Sequence, residues 1–383
     1  MVGGYGRASS ERGARCVALE EARADWPVIL ARVERPRFFQ QLPYFEAALD
    51  SLLEPDRAEL NVLHLPGRAL LPLRRRVGVL DRVPRVCFLE VPHHRVLDLV
   101  DGVVATGDDE AVTQLLEAAA RLPRGWDVLW LPRVLAESSL LGSLRRLRPR
   151  GLVITEISES KSVDVRGGYE HVKARLSHKF LVNERRKLKK LAQGGCVEHR
   201  VVYPSTPADP AFLEFLRLEA SGWKGARDSA IAHCPLVLRF FERLIERLGV
   251  EQKCRIDLLS VGATPIAGQF SLVHEGALSL LKIGYDEAHH AVGPGGLLIH
   301  ETLRGLDAGI EEVSFVTGAR WNDLWGATAQ AVYDIRIYND TPLGQVARCA
   351  RALKPLVVDA LNEGRRRWSS EHRAKLEAAE AEQ

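Results

Sequence analysis

A chain of 383 residues, 46% hydrophobic and 27% charged, is too long for one ordinary domain, comfortable for two, and too apolar to be mostly disordered. Its formal net charge of +3 gives no electrostatic case for a dedicated nucleic-acid binder, although local patches still count. Six cysteines at irregular spacing, none in a C-x-x-C pair, speak against zinc knuckles and a disulfide framework and fit a reducing, cytoplasmic setting.

Taken in chain order, residues 1–15 are rich in Gly, Ser and Arg, lack the apolar segment of a signal peptide and are expected to be disordered. No stretch approaches a membrane span, so no membrane insertion is expected. Phe38 to Leu53 reads as a helix. Glu59 to Leu65 and Ala69 to Arg76 read as strands around the turn Pro66-Gly67-Arg68, and Val86 to Val91 as a third. A helix from Asp109 to Leu122, a strand from Asp127 to Leu131, a helix from Ala136 to Leu147 and a strand from Leu152 to Ile157 complete the first half, with a joint near Ser158 to Gly168.

Tyr169 to Ala192 is predicted as one strongly basic helix. Its cations are Lys173, Arg175, Lys179, Arg185, Arg186, Lys187, Lys189 and Lys190, set against only Glu170 and Glu184. A solvated face is the default for such a pattern, and a phosphate- or RNA-facing surface the sharper alternative. Another helix starts at about Ala211 and ends at Glu219. Cys254 to Val261, Pro265 to Val273 and Ala277 to Tyr285 form a predicted antiparallel meander. The loop Gly293-Pro294-Gly295-Gly296 opens a helix from Leu297 to Ala308 with Gly309 at its C-cap position. Glu312 to Val316 is a strand, Ala319 to Trp325 a short irregular piece, and Ala331 to Tyr338 the last strand. Residues 363–383 form a charged tail. Three strands, helix, strand, helix, strand thus appears twice. The chain is read as two α+β domains of one fold, residues 16–165 and 166–362.

The Gly-rich loop is the best physical clue to chemistry. Unpaired N–H groups at a helix start, at the positive end of its dipole, bind phosphate oxygens, and glycines let the backbone approach closely. The loop matches neither a dinucleotide-binding fingerprint nor a P-loop. Lys282, Tyr285, Asp286 and Glu287 crowd the strand end before it. Regular alternation puts Lys282 on the opposite face from Tyr285, and a bulge would change that. Asp286-Glu287-Ala288-His289 spells a helicase motif but has no P-loop upstream. The pairs His93-His94 and His289-His290 lack metal-ligand spacing, and no metal is expected. No G-x-S-x-G elbow supports a serine hydrolase. Glu219-Ala220-Ser221-Gly222-Trp223-Lys224-Gly225 reads equally well as a ligand-facing loop or as a capped helix end with Trp223 in the core.

Glu219 to Gly225, Phe240-Phe241, Lys282 to Glu287 and Gly293 to Leu298 together resemble the CelD-like branch of the GNAT acetyltransferases, which is related to the FemAB peptidyltransferases. Members show a W-K-G segment, a K-x-x-Y-D-E strand end and an S-P-G-x-L-L loop. The resemblance is specific from about His171 to Asn339 and looser over Trp26 to Leu147, where Phe38-Phe39-Gln40 and Leu71-Pro72-Leu73-Arg74 carry it. Gly293 stands where the family has Ser. The segment Thr317 to Trp325 keeps a Leu-Trp but lacks the family's Tyr-Lys.

The resemblance implies tandem GNAT-like domains, each a mixed, mostly antiparallel sheet flanked by helices. It implies transfer of an acyl group from acyl-CoA, acetyl-CoA included, to an amine or hydroxyl of a small-molecule or glycan-precursor acceptor. Gly293, Gly295, Gly296 and Leu297 would hold the CoA pyrophosphate. Trp223, Lys224, Lys282 and Trp325 would bind the acceptor. Asp286 and Glu219 are candidate bases for the proton the amine loses, and Tyr285 could protonate the departing thiolate. The N-terminal copy has only the acidic Val103 to Asp109 at the matching place and would support the fold and shape the acceptor cleft. Specific nucleic acid is not expected, and a homo-oligomer is compatible with this reading. Two alternatives are a FemAB-like aminoacyltransferase that draws on aminoacyl-tRNA, which the basic helix favours, and an inactive scaffold in polysaccharide assembly.

Overall fold

The computed structural model describes residues 13–221 and 230–353; all statements of absence below concern these residues. Trp223, Lys224, most of the N-terminal segment and the charged tail lie outside them. Gly13 to Arg15 are described, and strand β1 (Arg15–Val17) already pairs with β2 (Leu60–Leu65), so order begins earlier than the composition predicts.

In the first half, β2, β3 (Ala69–Leu80) and β4 (Val83–Glu90) form an antiparallel meander, with the short β5 (Val103–Val104) beside β3. The small helices α1 (Leu19–Ala22) and α2 (Trp26–Leu30) and the longer α3 (Leu42–Leu49) precede or flank it. Helix α4 (Asp109–Ala120) then carries the chain to β6 (Val128–Leu135), parallel to β4. Helix α5 (Ser139–Leu147) leads to β7 (Leu152–Asp164).

The second half repeats this order after α6 (Gly168–Arg175), α7 (His178–Leu191), β8 (Val197–Val202), α8 (Pro210–Ala220) and α9 (Pro235–Leu248). Strands β9 (Cys254–Val261), β10 (Thr264–His274) and β11 (Ala277–Tyr285) form the meander. Helix α10 (Pro294–Arg304) crosses to β12 (Glu312–Ser314), parallel to β11, and β13 (Thr328–Tyr338) is the last strand in chain order. The fold is a mixed α/β architecture, one large mixed sheet flanked by helices.

The two halves exchange their last strands. β7 pairs with β12 of the second half, β13 pairs with β6 of the first, and β7 and β13 pair with each other from Thr328↔Ser162 to Ile337↔Leu152. The sheet therefore runs unbroken through β4-β6-β13-β7-β12-β11. Ser158 to Asp164, expected as part of a joint, is strand for this reason: its backbone groups find partners in β12 and β13 that are remote in sequence. One apolar cluster spans both halves, with Tyr44 of α3 edge-on to Phe240 of α9 at 5.5 Å between ring centroids. Arg247 of α9 adds ion pairs to Glu46 at 2.7 Å and Asp50 at 2.5 Å.

The basic helix is two helices. Ser177 accepts a hydrogen bond from the Phe180 N–H at 3.2 Å and starts α7 afresh after α6 ends at Arg175, a Ser N-cap embedded in an otherwise helical pattern.

Candidate active site

Helix α10 begins at Gly293, which adopts a left-handed conformation (φ 61°, ψ 60°) and places no side-chain cap on the helix. Pro294 follows as the first helical residue, where its fixed φ suits the turn and its missing N–H costs nothing. The Gly296 and Leu297 N–H groups donate to the Gly293 carbonyl at 3.1 and 3.2 Å. In the first half, the corresponding start of α4 is filled: the Asp108 carboxylate accepts from the Ala111 N–H at 3.0 Å and pairs with Arg68. The two equivalent helix ends therefore differ. One is sealed by an anion of the chain, and the other is open to an external one.

The open end faces a cleft of about 460 Å³ lined by Glu219, Ser221, Ile283, Gly284, Tyr285, Glu287, Gly295, Gly296, Ile299 and Trp321. A side chain at Gly296 would meet open space, and one at Gly295 would touch Tyr285 and Ile283 at ordinary van der Waals distance. The Lys187 ammonium from α7 stands 3.6 Å from where a Gly293 side chain would begin, so the basic helix borders this loop. Lys187 also pairs at 2.6 Å with Glu184, which is 2% exposed.

The floor of the cleft is fixed by packing. Leu297 and Leu298 are fully buried with Leu259, Ile266 and Ala267 of the sheet. Further along α10, Thr302 joins a buried network, accepting from Gln269 at 3.0 Å and donating to Asp257 at 3.2 Å, while Arg255 pairs with Asp257 at 2.7 Å. Leu297 can therefore offer a ligand only its backbone.

Strand β11 opens the sheet beside the cleft. Its pairing with β12 covers Ala277↔Glu312 to Ser279↔Ser314 and then stops. Against β10 the register moves from Phe270↔Lys282 to Ser271↔Leu280, which makes Leu281 a bulge residue.

The residues singled out from sequence fall into three places. Glu219, Tyr285, Gly295 and Gly296 line the cleft, with Gly293 and Leu297 at its helix end. Glu219 is 2% exposed, and its carboxylate accepts the Ile231 N–H at 2.8 Å. Asp286 sits at the rim and caps the following turn, accepting from the Ala288 N–H at 2.9 Å, with His289 at 3.7 Å. Lys282 points to the other face of the sheet, into a small cavity it shares with Asp98, Tyr44 and Val316. Trp325 is 2% exposed, packed edge-on to Phe180 at 4.9 Å, and forms core. The cleft instead receives Trp321, 43% exposed and edge-on to Phe315. Both tryptophans lie in one 3-10 turn, Arg320–Trp325, and only the packing of Val163, Leu176 and Ile299 around Trp325 decides which one faces out.

A wider depression of about 560 Å³ lies at the other end of β11, around Arg37, Arg166 and Glu312. There Arg37 bridges Glu137 and Glu312, and Arg166 pairs with Asp164 at 2.6 Å. No group of three or more His, Cys, Asp or Glu side chains among the described residues could hold a metal ion. No helix among them is long and apolar enough to cross a membrane.

Residues 178–322 match the family model described as an acetyltransferase (GNAT) domain. The match begins with α7 and ends at Trp321-Asn322, and so takes in every residue of the cleft. Among solved structures, one described as FemX aligns at 10% identity over 85% of this chain and 98% of that one, with a TM-score of 0.56. A conserved protein of unknown function from Bacteroides thetaiotaomicron VPI-5482 aligns at 11% identity over 82% and 97%, with a TM-score of 0.54. At such identities the likeness is one of fold. None of the curated proteins compared by sequence matches the chain.

Proposed function

We propose that the protein is a cytoplasmic acyltransferase of the CelD-like GNAT type. It would move an acetyl or other acyl group from acyl-CoA to an amine, or a hydroxyl, of a small-molecule or glycan-precursor acceptor. One observation carries this reading: the uncapped start of α10 at Gly293 opens onto a cleft within the matched segment, whereas its counterpart in the first half is sealed by Asp108. In this reading residues 166–362 form the catalytic unit and residues 16–165 support it, with β7 and β13 exchanged between them.

The residues present fit a CoA donor. The Gly295 N–H at the positive end of the α10 dipole, the absent side chains of Gly295 and Gly296 and the Lys187 ammonium would hold the pyrophosphate. Ile283, Ile299 and Trp321 offer apolar surface to the arm that leads to the thioester. When bound, acyl-CoA supplies an activated carbonyl carbon. The attacking amine must lose a proton, and Glu219 lies at the cleft to accept or relay it. Tyr285, which lines the same cleft, would give a proton to the leaving thiolate. The experiment is thermal unfolding with and without CoA. Saturating CoA should raise Tm, because a ligand that binds only the folded state stabilises it. Gly296→Asp should abolish that rise while folding normally, since its side chain enters open space but brings negative charge to the phosphate site. Absence of any rise in the parent protein would overturn the donor assignment.

A second reading, transfer from aminoacyl-tRNA, is favoured by the basic face of α7 beside the same loop and by the fold shared with FemX.

A further inference from the structure

The first half of the chain has a cavity of its own that acyl transfer does not use. Helix α4 packs over β2 and β3 and ends at Ala120, and the chain then turns through Pro123 and Gly125 toward β6. Past that helix end, Leu63, Leu73 and Leu89 floor a cavity of about 270 Å³, and Leu122 and Trp126 wall it. The registers Leu63↔Leu71, Asn61↔Leu73 and Arg75↔Leu89 bring these alternate residues to one face of the sheet. The Trp126 indole N–H donates to the Ala119 carbonyl at 2.8 Å, so the ring is fixed and its polar edge satisfied.

The cavity's mouth is basic. Arg75 and Arg124 line it, against one acid, Glu59. Neither arginine forms an ion pair with a described residue. Arg75 donates to the Gly125 carbonyl at 3.3 Å, but its Nε is buried without a hydrogen-bond partner among those residues. Its neighbours on β3 differ: Arg74 and Arg76 both pair with the buried Glu90. The same face continues over Val77 and Val79, 57% and 67% exposed, so the cavity adjoins apolar surface. Cys16 of β1, opposite Leu63, stands at the mouth as a free thiol.

We propose that this cavity binds a single-chain anionic amphiphile, a fatty carboxylate of medium length, with its chain on Leu63, Leu73 and Leu89 and its head on Arg75 and Arg124. The volume holds about nine methylene-sized groups at about 30 Å³ each. Burial of the chain favours binding, and the guanidinium groups select the anion, because a neutral chain leaves the Arg75 Nε unpaired and a carboxylate pairs it. A small inorganic anion would gain the charge contact but bury no apolar surface. Strands β6, β13, β7 and β12 lie between β4 and β11 in the sheet, so this site is separate from the cleft at α10 and does not depend on the acyl-CoA reading. It gives the first half of the chain a ligand of its own.

The test follows alkylation of Cys16 by iodoacetamide, with decanoate as the probe and peptide mass spectrometry as the readout. Cys196 and Cys349 are also exposed and lie outside the cavity lining, so they serve as internal references. At about ten times its Kd, decanoate should slow Cys16 alkylation by about tenfold, since only unoccupied protein reacts, and leave the two references unchanged. Decan-1-ol should bind about tenfold more weakly, the loss expected for a charge-assisted contact. CoA, which has no acyl chain, should not protect Cys16. Arg124→Gln, at an exposed position, should narrow the gap between acid and alcohol, and Arg75→Gln should narrow it further. Asn61→Trp, which adds bulk at an exposed lining position and spares the floor, should abolish protection and keep the parent Tm. Unprotected Cys16, equal slowing of all three cysteines, equal protection by acid and alcohol, or a gap unmoved in both arginine variants would overturn the proposal. Protection by CoA would overturn it too, by assigning the cavity to a nucleotide.

Discussion

A side chain on Gly284 would place its Cβ 2.4 Å from the Glu219 Cα and 2.9 Å from the Leu218 carbonyl oxygen. The strand that leads to the Gly-rich loop thus lies directly against the end of α8, and the cleft's buried carboxylate is positioned by backbone contact. Gly284→Ala must push the two elements apart. Overpacking of this kind costs about 1–3 kcal/mol, to be read as a fall in the denaturant midpoint. It should also weaken the stabilisation by CoA, because Gly284 and Glu219 both line the site. Wild-type stability in this variant would mean that the contact yields freely.

The basic face of α7 separates the two donor readings. Arg185, Arg186, Lys189 and Lys190 are exposed, whereas Lys187 neutralises the buried Glu184 and is left intact. Phosphate-dominated binding weakens with salt in proportion to the phosphates neutralised. With acyl-CoA as donor, tRNA binding should be weak and vanish near physiological salt. Saturable tRNA binding at that salt, lost on joint replacement of Arg185, Arg186 and Lys189 by Ala, would favour the aminoacyltransferase reading.

Asp286 acts as the cap of the turn Glu287–Val292. Asp286→Ala should lower stability by about 1 kcal/mol, as expected for a lost cap, and preserve both the CoA-induced Tm rise and turnover per folded molecule. Full stability with lost turnover would place Asp286 in the chemistry instead.

Acid sensitivity should centre partly on His274. Burial, then the charges of Lys253 and Arg37, push its imidazole down to about 4. Between about pH 6.5 and 4 the unfolded chain gains a proton here and the folded chain does not. Stability is therefore full above the unfolded value and declines as the pH falls toward 4, by at most about 3 kcal/mol. His274→Phe should flatten the dependence of unfolding free energy on pH across that window. A curve as steep as the parent's would assign the sensitivity elsewhere.

Much of the fold was legible locally. Ala277–Tyr285 and Cys254–Val261 are strands with the bounds that their turn punctuation predicts, because Gly262 and Gly276 both take φ > 0 where the chain reverses. The Gly293–Gly296 loop was legible too, since glycine there is a statement about backbone geometry that a sequence carries directly. Ser177 interrupts a continuous helical pattern through capping chemistry that is itself local, and α9 has an apolar periodicity of its own.

Tertiary structure decided the rest. Nothing local says that β7 leaves its own half to pair with β12, or that β13 crosses to β6, because strand partners are chosen by pairing and burial between segments remote in the chain. Nothing local distinguishes Trp321 in the cleft from Trp325 in the core, since burial belongs to the neighbours that close over a side chain. Asp98 carries no motif. It meets Lys282 only because the two halves share one sheet and one core, and burial raises its pKa only in that enclosure. Local chemistry sets which segments turn, cap and offer backbone to a phosphate; long-range packing sets which side chains share a site.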